Sequence, residues 1–194
     1  MQVELSITTF GFEGRHVKIT MHPVVPPSAM GDGLQAWFVQ FVRGLYPDLK
    51  HSGKWLCSQC GKPARDMQVD MLGWPHLAQF SVYAHQLCEN KDGPCDRAAK
   101  AESNIWRQGF GHPPNPPNST RNIDPVEQPL SRGCATCQRD PRAAPEVKLK
   151  RCGRCKLTRY CSVKCQTNDY PRHKHNCKRI DDIEYAKWGA EDRD

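Results

Sequence analysis

The 194-residue chain is poor in aromatic residues, 8% of the total, and its mean hydropathy is −0.73. So little apolar material argues against a single large core, in a chain long enough for one large or two small domains. No run approaches the ~18 apolar residues that a membrane-spanning helix needs, so no membrane partner is expected. The opening "MQVELSITTF" has no basic n-region and no apolar h-region, so it does not read as a secretory signal. The expected setting is therefore intracellular, nucleus or cytoplasm, where thiols stay reduced. No internal repeat is evident.

Cysteine, by contrast, is abundant: eleven residues, an odd total that argues against a simple disulfide framework. They fall in two clusters. The first is Cys57, Cys60, Cys88 and Cys95; the second is Cys134, Cys137, Cys152, Cys155, Cys161, Cys165 and Cys177. Each contains CxxC pairs, the spacing of a zinc knuckle. Metal-bound cysteines are thiolates, so the formal charge of +7 overstates the basicity. A four-cysteine zinc site adds −2 and a three-cysteine, one-histidine site −1, which brings the total to about +2 for two of the first and one of the second. Net charge is then no argument for nucleic-acid binding.

Along the chain, "QVELSITTF" (2–10) and "HVKITMH" (16–22) alternate apolar and polar residues across a glycine-containing link, which predicts a β-hairpin. Over 32–47, Leu34, Trp37, Phe38, Phe41, Val42 and Leu45 recur at helical spacing. Asp32 and Gln35 predict a capping box at its start and Pro47 predicts its end. Gly61 after Cys60 suits the tight turn of a knuckle. "FSVYA" (80–84) predicts a strand and residues 96–109 a helix, with Cys95 at its start, where the helix dipole favours a thiolate. His85 competes with Cys88 as a ligand, or else is a hydrogen-bonded surface histidine. Prolines crowd 111–131, which predicts an extended linker.

The segment 134–177 has few large apolar residues, and a stretch of roughly 40 residues rarely folds on its own core. Structural zinc can supply roughly 10–16 kcal/mol instead. Seven cysteines and one histidine make two tetrahedral sites with no open position. His173 is four residues before Cys177, so on a helix the two point to one side. Asp169 or Asn168 could cap that helix, with Pro171 in its first turn. Cys161 and Cys165 have the same spacing, near a helix start at Ser162. Spacing alone does not say which pairs share a metal.

The pattern C134-x2-C137, C152-x2-C155-x4-Y160-C161-x3-C165-Q166, D169-Y170-x2-H173-x3-C177 resembles a MYND-type zinc finger. The upstream "CGKPA" segment resembles one found in uncharacterised fungal MYND proteins. The resemblance implies cross-braced ligands: Cys134, Cys137, Cys161 and Cys165 on one zinc, Cys152, Cys155, His173 and Cys177 on the other. Cys57, Cys60, Cys88 and Cys95 would hold a third. It also implies a protein-interaction module for proline-rich peptides, with Gln166, Tyr170 and Gly153 at contact positions. Tyr170 stands where most members carry Trp, and Gly153 where they carry Ser.

The expected fold class is a small, zinc-stabilised α+β protein. An N-terminal hairpin-and-helix domain with one zinc site would span 1–110, the proline-rich linker 111–131, the finger 132–180 and a helical tail 181–194. The expected function is a non-enzymatic adaptor with three zinc ions, possessing a partner with a proline-rich motif and a role in transcriptional regulation. A nucleic-acid-binding zinc protein, through the basic "KLKRCGRCK" (148–156) and "RHKHNCKR" (172–179), is the alternative. A MYND-containing methyltransferase is the third reading; no GxG loop or Asn-His signature of that fold is present. A catalytic thiol is not expected, since all eleven cysteines are assigned to metal.

Overall fold

The computed structural model describes residues 1–89, 92–114, 129–140 and 147–189. The predicted hairpin is β1 (Glu4–Phe10) and β2 (His16–Met21), antiparallel with Leu5 opposite Met21 and Ile7 opposite Ile19. Helix α1 (Leu34–Lys50) follows. Strand β3 (Asp66–Trp74) was not predicted: it carries two aspartates and a glycine, residue types depleted in strands. Strand β4 (Gln79–Leu87) extends the predicted 80–84 and pairs parallel with β1. Helix α2 spans Pro94–Gly109. In the C-terminal half, β5 (Lys150–Arg151) and β6 (Arg159–Tyr160) form a short ladder, followed by α3 (Val163–Cys177) and β7 (Ile180–Ala186).

The main sheet has the order β3-β4-β1-β2-β7. Register places Leu5, Ile7, Ile19, Met21, Phe80 and Val82 on one face. Helix α1 covers that face, with Phe38 and Phe80 centroids 4.4 Å apart. The opposite face carries Phe10, Tyr83 and His85, against which Trp106 of α2 packs. The apolar stripe of α1 is thus core, as its period requires.

Two local expectations are corrected. Helix α1 has no capping box: Gly33 precedes it without a side-chain cap. Pro47 does not end it but lies inside it. A proline removes one backbone donor there, and burial of Asp48 and Leu49 carries the helix one more turn. The nearby Gly44 carbonyl accepts from Asn176 Nδ2 at 2.9 Å.

The larger correction concerns 181–194. The described part of this tail is strand β7, not a helix. It pairs antiparallel with β2, Ile183 opposite Ile19 and Tyr185 opposite Val17. The unpaired edge of β2 offers a ladder of donors and acceptors that outweighs the weak helical preference of "EYAKW". Beyond it, Trp188 is buried edge-on against Trp55 at 4.7 Å and donates to the His16 carbonyl at 2.9 Å. A Cβ on Gly53 would lie 2.3 Å from the Trp188 ring, so only glycine fits beneath it.

Chain from beyond the finger thus completes the sheet of the N-terminal half. Leu149, Leu157 and Tyr160 share one buried cluster with Leu5, Ile7 and Ile19. The linker expected over 111–131 lies, for 115–128, outside the described residues. Trp188→Ala is expected to lower the unfolding free energy by about 3 kcal/mol, the cost of a large cavity. Urea unfolding checks this; a change under about 0.5 kcal/mol, typical of an exposed surface site, would contradict the docked tail.

Candidate metal centres

Three quartets of ligand atoms converge, each with all members within 4.8 Å of one another: Cys57, Cys60, Cys88, Cys95; Cys134, Cys137, Cys161, Cys165; and Cys152, Cys155, His173, Cys177. Together they use all eleven cysteines. Within them Cys137 and Cys161 Sγ lie 3.4 Å apart, and Cys88–Cys95 and Cys152–Cys177 are each 3.8 Å apart. Four ligands about 2.3 Å from a tetrahedral metal would sit roughly 3.8 Å apart. Thiolate and imidazole donors at that spacing fit zinc, and the four-ligand sets leave no position for substrate.

Each quartet is assembled by the same local devices. The Cys57–Cys60 knuckle is closed by Gly61 N–H donating to the Cys57 carbonyl at 3.0 Å, with Gly61 at φ +74° as predicted. Cys88 follows β4, and Cys95 is the second residue of α2. The Cys134 knuckle has its own turn, Gln138 N–H to the Cys134 carbonyl at 2.9 Å, and the Cys152 knuckle has Lys156 N–H to the Cys152 carbonyl at 2.9 Å. Ser162 Oγ caps α3 by accepting from Cys165 N–H at 3.1 Å. One continuous helix then carries Cys165 for one quartet and His173 and Cys177 for the other. Asp169 and Asn168 therefore do not cap a separate helix, and Pro171 lies in the interior of α3. Asp169 instead accepts from Tyr160 Oη at 2.7 Å and Arg172 Nε at 2.8 Å.

The protein tunes the sulfurs unequally. Burial pushes the thiols of Cys95, Cys161 and Cys177 up to about 12. Burial acts on Cys134 and Cys152 too, but N–H donors, those of Cys137 and Cys155 foremost, outweigh it and bring them down to about 7. Metal binding must displace protons from the raised thiols.

His85 is neither a ligand nor a surface residue. It is buried, stacked between Phe10 at 5.3 Å and Trp106 at 5.4 Å, and Cys88 takes the place in the quartet. Of the expected peptide contacts, Tyr170 is 48% exposed on α3. Gln166 is half-buried, its amide 3.6 Å from Cys152 Sγ, where it donates to a zinc ligand. Gly153 is exposed, with open space where a side chain would stand.

The residue the sequence did not yield is Asp48. It lies on α1, in the N-terminal half, and its side chain is fully buried against the finger. Its carboxylate accepts from His173 Nδ1 at 2.9 Å, Thr158 Oγ1 at 2.9 Å, Asn176 Nδ2 at 2.7 Å and both terminal nitrogens of Arg172 at 2.9 and 2.8 Å. Burial alone would raise its pKa; the hydrogen bonds from His173 and Arg172 overcome this and hold it well below the carboxylate range. His173 Nε2 faces Cys155 Sγ at 3.5 Å. One imidazole nitrogen thus points to the metal ligands, while the other donates to a carboxylate that fixes the ring and its tautomer. Asp48, Asp169 and His173 also converge, but the Arg172 guanidinium lies between the two carboxylates, 2.8 Å from one and 2.6 Å from the other. That cluster is an ion-pair network.

A weak signal for Asp48 existed. It continues the apolar stripe three residues after Leu45, an acid at a core position. Asp48→Asn removes the charge that orients His173 and is expected to weaken zinc at that quartet about tenfold to a hundredfold, leaving the Cys134 quartet much less affected. Competition with a graded chelator, read by native mass spectrometry, checks this; equal retention of all ions in variant and wild type would contradict it.

The sequence model of the MYND finger family matches residues 134–177. The chain is also similar to SET domain and MYND-type zinc finger protein 6 of Schizosaccharomyces pombe, 43% identical over 51 residues, 26% of this chain and 10% of that one. It is 39% identical over 70 residues to Tudor domain-containing protein 1 of Danio rerio, covering 29% of this chain and 6% of that one. It is 36% identical over 55 residues to human histone-lysine N-methyltransferase SMYD3, covering 28% and 13%. The chain thus spans about a tenth of the length of these curated relatives. No solved structure matches it significantly. With the family match over the same span and the eight ligands converging in two quartets, residues 134–177 are a MYND-type zinc finger.

Proposed function

We propose that the chain is a non-enzymatic adaptor whose MYND finger recruits proline-rich peptide segments. The observation that carries this reading is the outer face of α3. Val163, 79% exposed, and Tyr170, 48% exposed, lie two turns apart on that face, so they form a short apolar strip. An exposed tyrosine is a flat platform for a proline ring, with a hydroxyl left for a backbone carbonyl. In the Cys152–Cys155 knuckle, Gly153 leaves open space where a side chain would stand. Gln166, committed to Cys152 Sγ, would act by placing the ligand loop against α3 more than by touching the peptide.

A purely structural metal supports the adaptor reading over an enzyme. Each quartet is complete in protein ligands, and every cysteine belongs to one, so neither an open metal position nor a spare thiol is offered for catalysis. The relatives include a histone-lysine N-methyltransferase, and transcriptional regulation is the process we propose; the small share of those chains covered gives no ground for carrying over their activity.

Binding of the zinc-loaded protein to an array of proline-rich peptides tests the reading. Tyr170→Ala is expected to weaken the bound peptides about tenfold, the loss of one aromatic anchor, with the zinc content unchanged. Peptides held equally well by the variant would place the binding face elsewhere.

A further inference from the structure

The three quartets are alike in ligand geometry but not in what shields them. Cys152, Cys155 and Cys177 are 4%, 6% and 3% exposed, and His173, the fourth ligand, is fully buried. This quartet sits at the junction, where His173 docks on Asp48 of α1. The Gln166 amide lies against it as well, donating to Cys152 Sγ at 3.6 Å. The other two quartets mix buried and open sulfurs. Cys57 and Cys134 are buried, whereas Cys60 and Cys137, the second cysteines of the same knuckles, are exposed. In each, the sulfur of the exposed cysteine is close to that of a half-buried one: Cys137 to Cys161 at 3.4 Å, and Cys60 to Cys88 at 3.6 Å.

Oxidation selects cysteines that are both thiolate and accessible. A metal-bound cysteine is a thiolate in every quartet, so access is what separates them. We propose that Cys137–Cys161 and Cys60–Cys88 are oxidative modification sites, at which hydrogen peroxide forms a disulfide and the metal is lost, and that the Cys152 quartet is spared. The exposed thiolate attacks one peroxide oxygen; the O–O bond breaks, leaving a sulfenic acid and a hydroxide. The neighbouring thiolate then attacks the sulfenic sulfur, the S–S bond forms and a second hydroxide departs. The two sulfurs give up one electron each and the peroxide takes up both, so the ion leaves with its charge unchanged. Two cysteines remain at that site, too few for a closed four-ligand centre. In the buried quartet one ligand is an imidazole, which this chemistry does not consume, and the three sulfurs are shielded from the first attack.

The consequence falls on one end of α3. Cys165 lies in its first turn and belongs to an open quartet; His173 and Cys177 lie towards its end and belong to the closed one. A Cys137–Cys161 disulfide therefore releases the start of α3, while Asp48 keeps its partners and the finger stays docked on the sheet.

Treatment of the full, zinc-loaded chain with hydrogen peroxide tests this. A metallochromic dye reads released zinc, native mass spectrometry reads retained zinc, and peptide mapping after alkylation reads the disulfides. About two equivalents of peroxide are expected to release two of the three ions, at least about tenfold faster than the third. Cys137–Cys161 and Cys60–Cys88 are the disulfides expected, with Cys152, Cys155 and Cys177 recovered as thiols. Dithiothreitol and added zinc are expected to restore all three ions. Release of the three at one rate, or of the Cys152 quartet's ion first, would overturn the proposal. Retention of all three would also overturn it, as would release without those two disulfides.

Discussion

The buried carboxylate of Asp48 is the contact on which the arrangement of the molecule turns. A charge taken wholly out of water is costly unless it is paired and saturated with hydrogen bonds. Asp48 meets that condition only in the assembled protein, because every partner described for it, Thr158, Arg172, His173 and Asn176, belongs to the finger. Helix α1 alone would carry an unpaired acid on its core stripe. The finger alone would carry Arg172 and His173 without the carboxylate that holds both. Removal of one partner of such a buried network typically costs about 3–5 kcal/mol, far more than a surface ion pair contributes.

The apolar packing has the same geometry. The finger is too small to bury much by itself, and its Leu149, Leu157 and Tyr160 join the cluster built by the strands of the N-terminal half. Its C-terminal extension becomes the edge strand of the main sheet, and Trp188 closes over Trp55. Metal, core and buried charge therefore act on one junction.

The metal chemistry was legible in the sequence because it is local. CxxC spacing, a glycine after Cys60 and the i, i+4 pair of His173 and Cys177 are short-range patterns with one efficient use. The hairpin and α1 were legible by period. What the sequence did not show is long-range. Strand β7 is a strand because the edge of β2 waits for it 160 residues upstream, and nothing in "IDDIEYA" announces that partner. Asp48 reads as an ordinary helix-end acid once Pro47 is taken as a stop, and only the docked finger shows why an acid stands there. His85 read as a surface residue because the rings that enclose it, Phe10 and Trp106, lie on distant elements. The division into an N-terminal domain and a finger followed the prolines of 111–131; the contacts across it follow the sheet and the carboxylate.

If the finger and the sheet form one cooperative unit, loss of one finger zinc must be felt in strands that carry no ligand. Hydrogen exchange of the β1 and β2 amides, residues 4–21, in Cys177→Ser compared with wild type measures this most directly, since core amides report the global opening of their cooperative unit. Asp48 then loses the ordered His173 and Arg172, and the β1–β2 amides are expected to exchange at least about tenfold faster. Wild-type protection of β1 and β2 alongside a freely exchanging α3 would contradict it, and would show two units that merely touch.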